Sequence, residues 1–497
     1  MNQYHKPTLD KDLDKLSYMG EATGSLGKRL VAPGIGLLFV LVCGLVATLF
    51  FFDSPGTYIV AVAAVIGAYM ALNIGANDVA NNVGPAVGSR AMSMLTALLI
   101  AAVAESAGAL LAGGDVVGTI SKGIIDPAAV ANPAVFMAAM MAALISSALW
   151  INLATWIGAP VSTTHAIVGG VMGAGIAAAG FAAVSWGTMG QIAASWVISP
   201  LMGGVIAAFF LYLIKVLVVY RDDKIAAARR WVPVFIAVMT GAFATYLALK
   251  GVKKLVEIDM PMALLIGLGS AIASLLITRP YVARQSRGLE NKNQSLRKLF
   301  KVPLVVSAAL LSFAHGANDV ANAVGPLAAI VHTAGFGDVA SKVEIPLWVM
   351  AVGAFGISFG LLLFGPKLIN MVGQQITKLN PMRAFCVALS AALTVIVASA
   401  LGLPVSSTHI AVGAVFGVGF FREWYTANSL RRFNYVMAKN GRGPKPTRPQ
   451  RNREEMFRRK LVRRAHFSTI VAAWVITVPA SALLSAGLYL LLVPLMG

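Results

Sequence analysis

Residues Gly75 to Pro85 read GANDVANNVGP, and residues Gly316 to Pro326 read GANDVANAVGP. Eleven positions recur with one change, Asn82 against Ala323, and the copies start 241 residues apart. Each copy closes a long apolar run and places an aspartate and asparagines where hydrocarbon should surround the chain. An ionisable group at the bilayer centre costs about 2.5–3.5 kcal/mol on insertion scales, so such a group marks an ion or substrate path. One copy in each half implies a chain built from repeated halves around a shared polar site.

Composition agrees with a membrane setting. The 497 residues are 58% hydrophobic and 12% charged, about half the charge of an ordinary soluble domain. Apolar runs long enough to span, about 20 residues each, are expected at 31–52, 57–87, 94–113, 134–156, 160–182, 190–219, 232–250, 260–278, 302–330, 346–365, 384–401, 404–421 and 467–496. The expected fold is an all-α polytopic membrane protein with about 12–13 membrane segments. The runs are too long and too uniformly apolar for a membrane barrel, whose strands alternate over about ten residues.

The formal net charge of +20 does not point to nucleic acid, because the positive charge lies in loops, as cytoplasmic loops require. Three loops are strongly basic: Arg221 to Arg230, Arg279 to Lys301, and Arg422 to His466 with 14 Lys or Arg against 3 Glu. Even numbers of crossings separate them, so all three fit the cytoplasm. That topology puts the N-terminus inside and the C-terminus outside a cytoplasmic (inner) membrane. The polar first 30 residues read as a cytosolic tail. Spans 57–87 and 302–330 then enter from opposite sides, making the halves inverted repeats. The segments after Pro160 and Pro404 are short enough to be re-entrant half-helices.

The expected division is a tail at 1–30, an added helix at 31–52, a first transport repeat at 57–219, a linker with two helices at 220–301, and a second repeat at 302–497. The second repeat holds the basic insert 422–466. Cys43 and Cys386 lie inside apolar segments and suggest no disulfide framework or metal cluster.

Within GANDVAN, the glycines and prolines are expected to break the helix. Asn77, Asp78, Asn81, Asn318, Asp319 and Asn322 offer hard oxygen donors suited to small cations. A second duplicated element follows each first one: PVSTTH at Pro160 to His165 and PVSSTH at Pro404 to His409. Proline followed by hydroxyl residues is a helix-start signal, and a helix N-terminus attracts an anion. Ser162, Thr163, Thr164, Ser406, Ser407 and Thr408 are therefore the candidate anion ligands, on two short helices whose N-termini should face each other. No Lys or Arg accompanies them, so cations held at Asp78 and Asp319 are the expected source of positive charge. Glu105 sits mid-span and is a candidate coupling group. His165 and His409 read as histidines at helix starts.

These residues resemble the inorganic phosphate transporter (PiT) family of phosphate–cation symporters. Both GANDVAN copies, both Pro-Val-Ser elements, Ser106 to Asp126 and Ala391 to Gly413 carry the resemblance, across most of 57–219 and 302–421. The resemblance implies inverted repeats, inorganic phosphate bound between them, sodium as the co-transported cation and commonly a homodimer. No nucleotide loop, metal cluster or nucleophile–base arrangement points to an enzyme, a phosphate sensor or a cofactor. The GANDVAN spelling is more similar to sodium-coupled members than to proton-coupled ones. Some members carry a second intramembrane glutamate where this chain has Ala388. Alternatives are proton-coupled phosphate transport, transport of another oxyanion such as sulfate, and an anion channel.

Overall fold

The structure is a computed structural model that describes residues 30–52, 56–126, 129–130, 132–251, 257–339, 345–375, 379–439 and 464–496. The expected tail and much of the basic insert therefore lie outside the described residues. Everything long is helical, as lipid requires when backbone groups must be satisfied within their own segment. Among the described residues, eleven helices are long and apolar enough to cross a membrane.

The helices used below are α1 (Leu30–Phe50), α2 (Thr57–Asn82), α3 (Gly84–Gly88), α4 (Met94–Ala112), α5 (Gly114–Lys122), α6 (Pro133–Ile157), α7 (Thr163–Ala179) and α8 (Trp186–Ile214). They continue as α9 (Lys224–Lys250), α10 (Met260–Gln285), α11 (Asn293–Leu299), α12 (Lys301–Asp319), α13 (Ala321–Phe336), α14 (Leu347–Gln375) and α15 (Pro381–Ala400). The last three are α16 (Ser407–Asn428), α17 (Leu430–Lys439) and α18 (Arg464–Met496).

Of the thirteen expected membrane segments, eleven correspond to helices long and apolar enough to span, and the two segments after Pro160 and Pro404 become the 17-residue α7 and the start of α16. One expectation needs correction in part. In the first GANDVAN copy the helix does not break, since α2 runs through Gly75–Asn82 and turns only at Val83. In the second copy it is interrupted at Val320, between α12, which ends at Asp319, and α13, which begins at Ala321.

The glycines serve contact instead. A Cβ on Gly75 would lie 1.9 Å from the Ile357 carbonyl oxygen, and one on Gly316 would lie 2.1 Å from the Glu105 carbonyl oxygen. Backbone-to-backbone approach of this kind is how membrane helices associate where apolar burial gives no driving force.

The same logic recurs in matched pairs. Helix α2 packs along α14 and α12 along α4, with Gly360 against Leu72 O and Gly108 against Phe313 O. Gly169 and Gly173 of α7 meet Val478 O and Ala482 O of α18, and Gly413 and Gly417 of α16 meet Pro200 O and Gly204 O of α8. Contact order along each pair (Leu72 with Gly360 and Val79 with Gly365; Glu105 with Gly316 and Gly113 with Val320) makes α2 parallel to α14 and α4 parallel to α12. Ser106 bonds Ser358 at 2.6 Å, Gly113 approaches Met350 and Gly365 approaches Leu98. Helices α4 and α14 are therefore antiparallel, and so are α2 and α12.

The basic loops gather at one end. Lys224 N–H donates to Asn291 (2.9 Å), Arg229 Nε to Ser286 (2.6 Å) and Lys224 Nζ to Tyr435 (2.6 Å).

Candidate functional site

Helices α6 and α15 end in glycine turns, Gly158 at φ 78° and Gly402 at φ 69°. The chain then runs extended through Pro160 and Pro404 before α7 and α16 begin. Ser162 and Ser406 cap these helices, accepting from His165 N–H (3.1 Å) and His409 N–H (3.2 Å). Such caps are worth about 1 kcal/mol each, and each serine keeps its hydroxyl proton for another acceptor.

Asn77 and Asn318 hold the approach loops to the GANDVAN helices. Asn77 donates to Thr155 (2.9 Å) and accepts from Val161 N–H (3.3 Å). Asn318 donates to Ser399 (2.9 Å) and Leu403 O (3.1 Å) and accepts from Val405 N–H (3.2 Å). Their side-chain amides thus face the loops, away from the carboxylates.

The two N-termini face each other. Thr164 donates across to Val405 O (3.0 Å), and the Thr408 hydroxyl oxygen lies 3.4 Å from Val161 O. The rings of His165 and His409 stand 4.3 Å apart, with Trp196 beyond His165 at 3.9 Å.

Asp78 lies between both elements. It accepts from Thr163 of its own half (2.8 Å) and from Thr408 of the other (3.0 Å). Asp319 accepts from Ser407 (3.2 Å). Asn81 donates to Thr408 (2.8 Å), and Asn322 donates to Thr164 (3.2 Å) and Thr163 (3.3 Å). Eight of the twelve anticipated ligands therefore gather in one buried place, with Ser162 and Ser406 capping the two helices beside it and the side chains of Asn77 and Asn318 closing it from behind.

Reading the residues in order missed His315. Its Nε2 lies 3.1 Å from Asp319 and 3.6 Å from Asp78, and its Nδ1 lies 3.1 Å from Glu105. Glu105 also accepts from Asn82 (2.8 Å). The available signal was local: His315 directly precedes the second GANDVAN copy, where the first has Ile74. Packing matches Glu105 to Ile357, so one half carries a His–Glu pair where the other carries two buried isoleucines. Ala388 is buried in α15.

One carboxylate oxygen each from Asp78 and Asp319 and a ring nitrogen of His315 fall within 4.8 Å of one another. Asp319 Oδ1 and Asn322 Oδ1 are buried and accept no hydrogen bond from described residues. Buried acceptors normally have partners, and an orphaned carboxylate oxygen and an orphaned amide oxygen in this cluster fit a cation. The meeting residues include no lysine or arginine.

A buried site of carboxylates, amides and facing helix N-termini inside a helical bundle defines a membrane transporter. The sequence profile of the phosphate transporter family matches residues 74–485, and the chain belongs to that family; it is a transporter and not an enzyme. A putative phosphate permease of Helicobacter pylori strain J99 is 46% identical over 95% of this chain and 97% of its own length. A putative phosphate permease of Pyrococcus abyssi is 39% identical over 72% of this chain and 88% of its own. A solved structure described as the sodium-dependent phosphate transporter superposes with a TM-score of 0.75 at 35% identity, covering 87% of this chain and 98% of that one.

Proposed function

We propose that the chain is a sodium–phosphate symporter built from two inverted repeats, residues 57–219 and 302–497, joined by the linker 220–301. The antiparallel course of α2 and α12 and the matched glycine contacts support inversion. Helix α1 stands outside the matched pairs. In this reading the basic end faces the cytoplasm, with the N-terminus inside and the C-terminus outside. The homodimer implied by the resemblance belongs to the same reading.

One observation carries the mechanism: two buried aspartates meet two helix N-termini, and among the described residues that join them there is no Lys or Arg. Sodium ions at Asp78 and Asp319, completed by Asn81 and Asn322, supply the charge that phosphate needs. Ser162, Thr163, Thr164, Ser406, Ser407 and Thr408 donate to its oxygens. Neither ion is stable in the site alone, which couples their movement. Thr163 and Thr408 bond Asp78 directly, so cation entry and hydroxyl reorientation toward phosphate are one event.

A second reading, proton coupling, is favoured by the Glu105–His315 contact. Radiolabelled phosphate uptake into proteoliposomes, with sodium and proton gradients imposed separately, decides between them. Uptake driven by sodium alone supports symport with sodium, uptake driven by protons alone refutes it, and sulfate competition tests the anion.

A further inference from the structure

A cavity of about 870 Å³ lies where α1, the helix outside the matched pairs, leans on the bundle. Its walls come from α1, α2, α6 and α14. Helix α1 reaches the bundle through small and aromatic residues. The Phe39 and Phe359 rings stand 4.9 Å apart, and a Cβ on Gly36 would lie 3.6 Å from the Phe364 ring. Leu37, which lines the cavity, is 61% exposed, so the cavity opens on the outer, lipid-facing side of the bundle.

The lining is graded along the helices. At one end Lys367 Nζ lies 3.5 Å from Trp156 O. Both side chains are exposed, and both come near the ends of their spans, Leu347–Asn370 and Pro133–Ile157. Lys367 joins no ion pair among the described residues. One turn back along α6, Asn152 opens into the same cavity and is exposed. Its Nδ2 donates to Asn73 Oδ1 of α2 (3.1 Å), and the Asn73 amide donates to Tyr69 O (2.8 Å). Further along, the walls are apolar, with Val40 of α1 facing Val65 and Ile66 of α2.

An amide or an ammonium left facing hydrocarbon is costly unless it finds a polar partner. Lys367 and Asn152 are placed on a lipid-facing wall with donors to spare, so the cavity calls for an occupant that is charged at one end and apolar at the other. A phospholipid has that order: phosphate, ester carbonyls, acyl chains. We propose that the cavity holds one anionic phospholipid, with its phosphate at Lys367 and Trp156, an ester carbonyl at Asn152 and an acyl chain between α1 and α2. Lysine to phosphate is a charge-assisted bond, and an exposed tryptophan suits the headgroup level. Among the described residues the lining has one lysine and no carboxylate. A headgroup of net negative charge therefore fits, and a zwitterionic one leaves its ammonium without a partner. Thr155, on the same wall, accepts from Asn77 (2.9 Å), so the lipid borders the turn that leads to Ser162 and fastens α1 beside it.

The test is native mass spectrometry of the full chain in detergent, titrated with palmitoyl-oleoyl phosphatidylglycerol and, separately, with the matching phosphatidylcholine. Wild type is compared with Lys367→Gln and Asn152→Leu, and with Lys292→Gln, which removes an exposed loop lysine elsewhere. The expected result is one phosphatidylglycerol held per chain, about tenfold or more tighter than phosphatidylcholine. Lys367→Gln should weaken it about tenfold or more, as loss of a charge-assisted bond does. Asn152→Leu should weaken it less, and Lys292→Gln should leave it unchanged. If Asn152→Leu does not fold, Lys367→Gln, at an exposed position, carries the test alone. Equal binding of the two lipids, equal phosphatidylglycerol binding by wild type and Lys367→Gln, or a dimer whose chains hold no lipid overturns the proposal.

Discussion

Replacing Asp78 with asparagine isolates charge from shape. The carboxylate accepts from Thr163, Thr408 and, at 3.4 Å, Asn81. Asparagine keeps one oxygen, and a threonine hydroxyl can turn to accept from the new amide. A charge-assisted bond worth about 1.5–3 kcal/mol becomes a neutral one worth about 0.5–1.5 kcal/mol, so the loss of fold stability is about 1 kcal/mol. The effect on a cation is larger. A unit charge about 4 Å away at an effective dielectric of about 20 contributes about 4 kcal/mol. The removed carboxylate also no longer needs desolvating, which offsets part of this. A net loss of about 2–3 kcal/mol, roughly 30- to 150-fold in sodium affinity, is expected.

Linkage carries the effect to phosphate. Couplings between sites are typically about 1–3 kcal/mol, so saturating sodium should raise wild-type phosphate affinity roughly 5- to 150-fold, and the variant should lose most of that rise. The assay is equilibrium phosphate binding in detergent at several sodium concentrations, with potassium holding ionic strength constant. The cation-bridged site is refuted if wild-type phosphate affinity ignores sodium, or if Asp78→Asn keeps the full sodium dependence.

Other predictions follow from single contacts. Thr408→Ala, which removes the cross-half bond to Asp78, should weaken sodium and phosphate binding together, whereas Thr164→Ala should weaken phosphate more, by about tenfold or more; calorimetric titration of each ion separates these. Asn318→Ala leaves Val405 N–H without its acceptor and should cost about 1–3 kcal/mol, read as a lower unfolding midpoint in detergent; an unchanged midpoint refutes the clip. Gly316→Ala should abolish folded protein, since its Cβ would meet Glu105 O at 2.1 Å, while Gly118→Ala, with nothing within 4 Å, should leave yield and monodispersity unchanged on gel filtration.

The sequence alone determined the membrane class, the duplication and most of the residues that meet in the buried cluster, because those signals are local. Hydrophobic run length is set by bilayer thickness, and a duplicated Asp or Pro-Ser-Thr element is visible without folding. The basic loops likewise announced their common end. Tertiary structure decided what no local pattern encodes. Thr408 reaches Asp78 across 330 residues of sequence because α16 and α2 come from different halves and meet head-on. By residue type Gly75 and Gly316 fit helix breakers, yet they are contact points, since whether a glycine bends a helix or admits a neighbour depends on that neighbour's backbone. His315 gained its place between Asp78, Asp319 and Glu105 only when α12 packed against α4. The buried polar cluster is assembled from side chains brought together by helix pairing, and small residues set that pairing through close backbone approach.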